Sequence, residues 1–128
     1  MKHLFTYLLV AISATSFAQG NLQFNQVLNF NYSATIGLYA SSNVATVTVP
    51  TGKVWKITSA SSERQNELTS SAIKVDNHVL YKDKTQAMSL NTPYWLQAGT
   101  HTITLSNLYG GTSTIHGSIS AIEFNVVP

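Results

Sequence analysis

The chain has 128 residues, 7 basic and 5 acidic side chains, no cysteine, and 9% charged against 44% hydrophobic residues. That length fits one domain and leaves no room for a two-domain enzyme, a TIM barrel or a Rossmann pair. A net charge of +2 cannot build the basic stripe that phosphate backbones require, which argues against a nucleic-acid partner. Without cysteine there are no disulfides, thiol nucleophiles or thiolate metal sites.

Lys2 and His3 precede the apolar run 4–12, and small residues stand at Ser16 and Ala18. A run of that length suits a signal h-region and falls short of the ~20 residues a membrane span needs. Cleavage is expected after Ala18, leaving Gln19–Pro128, 110 residues, as one exported domain. No cysteine follows the cleavage site, so a bacterial lipid anchor is excluded, and no second run of spanning length occurs. The expected location is outside the cytoplasm: extracellular, at the cell surface or in the periplasm.

The rest reads as strands. Leu22, Phe24, Leu28, Phe30 and Tyr32 alternate with Gln and Asn, and Gln26 and Val27 break the phase. Period two is the strand signature, because successive side chains point to opposite faces. Val44–Val49 and Lys53–Thr58 follow, separated by Pro50-Thr51-Gly52. The weak helical candidate is Ser61–Ser70. Ala72–Asp76 and Val79–Lys82 predict a hairpin around Asp76-Asn77-His78, without the favoured Asn-Gly pair. Pro93–Leu96 and His101–Leu105 predict a second hairpin, turning at Gln97-Ala98-Gly99. Tyr109-Gly110-Gly111 marks another turn. In Thr112–Val126 the apolar phase switches from Ile115 and Ile119 to Ile122, Phe124 and Val126, which predicts a bulge or corner inside that strand. The expectation is an all-β fold, an antiparallel β-sandwich or jelly roll of seven to nine strands.

Charge is segregated along the chain. Ten of the eleven charges that remain after cleavage lie from Lys53 to Lys84, and only Glu123 lies outside. Strands with uncharged faces lack the lysines that guard edges against pairing. A homo-oligomer, with the neutral segments against other subunits, is one expectation; a neutral, hydrated surface is the other.

Chemistry-bearing residues are sparse. No Gly-x-Ser-x-Gly elbow occurs, and Glu63 and Glu67 fall in the polar, loop-like stretch, so no catalytic residue is assigned and no enzyme is expected. Asp76 and His78 share a strand face at a spacing that could hold an ion, but the His-x-His pair of metal-binding cupins is missing, and His101 and His116 stand on separate predicted strands. No metal and no cofactor are expected. Threonine rows at 46–48, 100–104 and 112–114 project hydroxyls from one face, as ice-binding surfaces do, although threonine is also a good strand former. Aromatic faces suit sugars, and the candidate ligand residues are Tyr94, Trp95 and Tyr109, with Trp55 and Tyr81 as possible additions. The bland alternative places Trp55 and Trp95 in the core.

Two stretches, Val49-Pro50-Thr51-Gly52-Lys53-Val54-Trp55-Lys56-Ile57 and Pro93-Tyr94-Trp95-Leu96-Gln97-Ala98-Gly99-Thr100, carry a resemblance. Together they resemble a VPxGKxWKI…PxWLxAGT pattern of small secreted β-rich proteins of Bacteroidota, similar in style to jelly-roll and fibre-head domains. Both motifs read as scaffold, a turn before a buried strand and a strand entering a hairpin. The resulting expectation is a secreted, non-enzymatic protein acting through surface contacts, as a structural, adhesive or assembly subunit. Its partner is itself, or a surface glycan or protein. The alternative is a carbohydrate-binding module, and a small hydrolase is the outsider.

Overall fold

The computed structural model describes residues 21–65, 70–84 and 87–127. The expected signal peptide and residues 66–69, including Glu67, lie outside the described residues. Nine strands follow in order: β1 (Asn21–Ile36), β2 (Ser41–Val49), β3 (Lys53–Arg64), β4 (Ser71–Val75), β5 (His78–Lys84), β6 (Ala87–Leu90), β7 (Tyr94–Leu96), β8 (Gly99–Asn107) and β9 (Ser113–Val127). They form two antiparallel sheets, β1-β9-β3-β7 and β2-β8-β4-β5-β6. The pairing is that of one long hairpin rolled up, with β1 on β9, β2 on β8, β3 on β7 and β4 on β5. That wrapping is a jelly roll, as expected.

The predicted hairpin at Asp76 forms. Asp76 and Asn77 both take positive φ, 47° and 68°, the pair of left-handed residues a tight two-residue turn demands. Asp and Asn tolerate that conformation because their short side chains bond locally.

Three expectations are corrected. Pro93–Leu96 and His101–Leu105 are not a hairpin: β7 pairs with β3 in one sheet, while β8 lies between β2 and β4 in the other. Leu96 is buried in the core, and the Gln97–Ala98 link crosses the ~10 Å between sheets. The helical candidate Ser61–Ser70 starts as strand, because β3 runs on to Arg64; Glu63 therefore sits on a strand. The phase switch in Thr112–Val126 is not a bulge in that strand. Ile115, Gly117, Ile119, Ala121 and Glu123 all lie on the buried face, in unbroken alternation. The irregularities belong to its neighbours, between Phe24 and Gln26 in β1 and between Ile57 and Ser59 in β3.

Those two bulges decide what faces in. Before its bulge β1 turns Leu22 and Phe24 outward, and after it Leu28, Phe30 and Tyr32 pack against the core. In β3, Trp55 and Ile57 face in before the bulge and Ala60 after it. The core centres on Ile57, Ile73, Leu80, Ile103, Leu105 and Ile115.

The sheets approach closely at Gly117. A Cβ there would lie 2.6 Å from Leu105 Cδ2 and 3.0 Å from Ile73 Cδ1, both on fully buried side chains. Gly117→Ala is therefore expected to lower folding stability by about 1–3 kcal/mol through overpacking. Urea denaturation of the Gln19–Pro128 chain checks this, and an unchanged midpoint would refute it.

Charge segregation along the chain becomes segregation in space. Lys53, Lys56, Glu63 and Arg64 lie on β3, Lys74 on β4, Asp76 in the turn, and Lys82, Asp83 and Lys84 on β5. β3 stacks over β4 and β5, whereas the charge-free β1 stacks over the charge-free β2. Both β1 and β2 are edge strands.

Candidate functional site

The three candidate aromatics are not brought together. Tyr94 stands opposite Ile57, packs half-buried against the core, and stacks on His78 with ring centroids 4.1 Å apart. Trp95 stands opposite Lys56 on the outer face, 41% exposed. Tyr109 lies beside the Arg64 guanidinium, 4.0 Å from its ring centroid, at the other end of β3. Eight residues separate Lys56 from Arg64, roughly 25 Å of strand. Trp55 is buried at 7% exposure and Tyr81 is half-buried, so neither extends a platform. Of the two tryptophans, one fills the core and one faces water.

Trp95 belongs instead to an apolar patch on the outer face of the β1-β9-β3-β7 sheet. The register sets Leu22 beside Val126, Phe24 beside Phe124 and Val27 beside Ile122. Leu22, Phe24, Val27 and Val126 are exposed, Phe24 at 63%. Trp95 closes the patch, its ring centroid 5.8 Å from that of Phe124, with the Lys56 ammonium 5.5 Å over the indole. Further along the same face the side chains become polar, and a cleft of about 380 Å³ is lined there by Asn31, Ser61, Glu63, His116 and Ser118.

A second surface is formed by the loops at the Tyr109 end. Asn107 is fully buried and holds them. Its Nδ2 donates to the carbonyls of Ile36 at 3.1 Å, Gly37 at 3.0 Å and Gly111 at 2.7 Å, and its Oδ1 accepts from Tyr109 N–H at 3.0 Å. Tyr39 N–H donates to the Tyr109 carbonyl at 3.0 Å, and Leu108 N–H to the Ser70 carbonyl at 2.8 Å. Tyr39 sits at φ 49°, in the left-handed region that bulky residues seldom occupy, and is 73% exposed. A cleft of about 160 Å³ lies between Tyr39, Lys82, Asn107 and Leu108.

Outside these surfaces, Glu123 and Asp76 each tie neighbouring strands together. Glu123 Oε2 accepts from Trp55 Nε1 at 2.8 Å, and Oε1 from Lys53 Nζ at 2.8 Å and Gln26 Nε2 at 3.1 Å, with Asn25 Nδ2 also donating. Burial opposes its ionisation, yet Lys53, Trp55, Asn25 and Gln26 together pull its pKa down to about 2. Asp76 does not join His78 in an ion site. Its carboxylate pairs with His101 Nδ1 and accepts from Thr102 N–H at 2.8 Å, tying the β4–β5 turn to β8. Partial burial opposes both charged forms, but the pairing holds the Asp76 carboxyl below its usual range and raises His101, aided by the Gln97 carbonyl. Among the described residues no group of three or more His, Asp and Glu side chains is placed to hold a metal ion. The threonines of β2 and β8 do align, Thr46 opposite Thr102 and Thr48 opposite Thr100.

Sequence reasoning missed Phe24 with Phe124, Tyr39 and Asn107. The first pair had a signal: Ile122, Phe124 and Val126 alternate with Glu123, an apolar phase interrupted only by the other face. Leu38-Tyr39, two large apolar residues in a turn beside Gly37, was a second. Asn107 had none, because its partners lie in two other loops. Compared with known proteins, the chain matches no family model and no curated protein.

Proposed function

We propose that the protein is a secreted, non-enzymatic subunit that works by surface contact, associating with further copies of itself. The contact uses the apolar end of the outer sheet face and the adjoining β1 edge. The observation that carries this reading is the contiguous patch of Leu22, Phe24, Val27, Phe124, Val126 and Trp95 on the face a lone sandwich turns to water. Soluble monomers seldom expose large contiguous apolar patches. β1 supports the same reading. From Gln26 to Ile36 it pairs without a bulge, carries no charge and no proline, and among the described residues leaves its outer backbone edge open. Such an edge accepts another strand. A second copy suits it because a two-fold axis brings the same neutral surface to itself. Of the charged strands, β4 and β5 lie in the other sheet, and on β3 Lys56 borders the contact over the Trp95 indole.

Sedimentation velocity of the Gln19–Pro128 chain is expected to show dimers or larger species that grow with concentration. Phe24→Lys, at an exposed position, is expected to weaken association by about tenfold or more while leaving the fold intact. A strict monomer at high concentration would overturn the proposal.

A further inference from the structure

The loop end carries two exposed tyrosines and lysine-lined space, and the assembly contact uses neither. Tyr39 and Tyr109 come from different loops, and each lies against a glycine. A Cβ on Gly110 would sit 3.3 Å from the Tyr39 hydroxyl, and one on Gly111 would sit 3.1 Å from Tyr109 Cε1. Larger residues there would push the rings away. The backbone bond from Tyr39 to Tyr109 and the four bonds of Asn107 fix the two loops to one another. Tyr39 keeps a left-handed backbone without being glycine, so the fold holds a bulky ring in water at a conformational cost. Such displays cluster at ligand clamps.

The chemistry of the walls narrows the ligand. Tyr39 lines one side of the 160 Å³ cleft and the exposed Lys82 another. That volume is about half the ~300 Å³ lower end of pockets for drug-sized molecules, which suits a single ring. An aromatic face receives the apolar C–H face of a pyranose, and one ammonium neutralises one carboxylate. A nucleic-acid backbone would need a longer run of cations than Lys82 supplies.

We propose that the cleft between Tyr39 and Lys82 binds an acidic saccharide, a pyranose stacked on Tyr39 with its carboxylate on Lys82. Tyr109, held by Arg64, extends the aromatic wall for a neighbouring sugar.

The test is calorimetric titration of the Gln19–Pro128 chain with oligogalacturonate, with neutral dextran and adenosine monophosphate alongside. Oligogalacturonate is expected to bind at millimolar or lower concentration, and dextran more weakly. Tyr39→Gly suits the backbone angle and removes the ring; it is expected to weaken binding about tenfold or more, and Lys82→Gln likewise. Lys82→Arg keeps the charge and is expected to retain binding. Melting curves identify any variant that fails to fold, and the Lys82 pair, at an exposed position, keeps the test valid if Tyr39→Gly does. No binding of oligogalacturonate, binding indifferent to both variants, or tighter binding of the nucleotide would each overturn the proposal.

Discussion

Glu123→Ala is expected to lower folding stability by about 3–5 kcal/mol, the usual cost of removing one partner from a buried ion pair. Glu123 is the one carboxylate on the inward face of β9, and it accepts from β1 through Asn25 and Gln26 and from β3 through Lys53 and Trp55. Alanine leaves the buried indole N–H and the half-buried ammonium without an acceptor. It also cuts the tie that joins three strands next to the β1 bulge. For a domain of this size the melting temperature is expected to fall by at least about 10 °C. Thermal denaturation of the Gln19–Pro128 chain measures it. A loss under about 1 kcal/mol would show that water replaces the carboxylate at little cost.

The same carboxylate sets the acid limb of stability. Its folded pKa, about 2, lies below the ordinary 4.5, so the folded state binds its proton less readily than the unfolded chain. Its contribution is complete above pH 4.5 and is lost as pH falls from there through 2. Asp76, held below its ordinary 3.8, acts in the same direction. His101 acts oppositely, because its folded pKa is raised: its contribution is complete below 6.5 and lost as pH rises through the raised value. Glu123→Gln keeps one acceptor oxygen and cannot titrate. Its stability is expected to lie between wild type and Glu123→Ala, and to lose most of the acid limb.

Why the sequence showed a sandwich but not its surfaces follows from what alternation contains. Period two says that a strand has two faces; it does not say which one is buried. In 22–32 the even positions other than Gln26 are apolar, yet Leu22 and Phe24 face water while Leu28 and Phe30 face the core, because the bulge between Phe24 and Gln26 exchanges the faces. In 113–127 the apolar phase switches at Ile122 without a bulge in that strand, because the buried face carries Glu123 and the outer face carries Ile122, Phe124 and Val126. Glu123 points inward only because lysine, tryptophan and two amides from other strands meet it there. The Gln97-Ala98-Gly99 link shows a related limit. Turn residues signal that the chain bends, and they look alike whether it returns within one sheet or crosses to the other. Charge position was the readable quantity, since strands neighbouring in sequence, 53–84, also neighbour in the rolled hairpin. The candidate ligand residues fared differently: Tyr109 lies in a built loop cluster, Trp95 in an apolar face and Tyr94 against the core, three separate surroundings.

Asn107→Asp is expected to be as damaging at neutral pH as the loss of Glu123 and, like it, less damaging in acid. The substitution is nearly isosteric, but it replaces an amide that donates to three carbonyl oxygens with an oxygen that repels them. The position has no solvent exposure, so an ionised carboxylate there meets one donor, Tyr109 N–H, and no cation within the four bonds Asn107 makes. Burying a charge on such terms costs several kcal/mol, and the group responds by keeping its proton. Its folded pKa is therefore raised above the ordinary ~3.9, and the variant loses stability as pH rises from that value toward the raised one. At neutral pH a loss of about 3–5 kcal/mol is expected, with partial recovery on acidification as the protonated carboxyl donates one bond. Glu123→Gln removes a contribution that rises with pH and Asn107→Asp adds one that falls with pH, so both lower the slope of the stability–pH curve relative to wild type. The loops carrying Tyr39 and Tyr109 lose their common anchor, so saccharide binding is expected to fall even under conditions where the variant stays folded. The apolar face lies at the other end of β3, so self-association is expected to persist. Paired urea titrations at pH 4 and pH 7, with sedimentation of the folded fraction, separate these outcomes. A variant equally stable at both pH values would mean that the buried carboxyl finds donors the asparagine did not use.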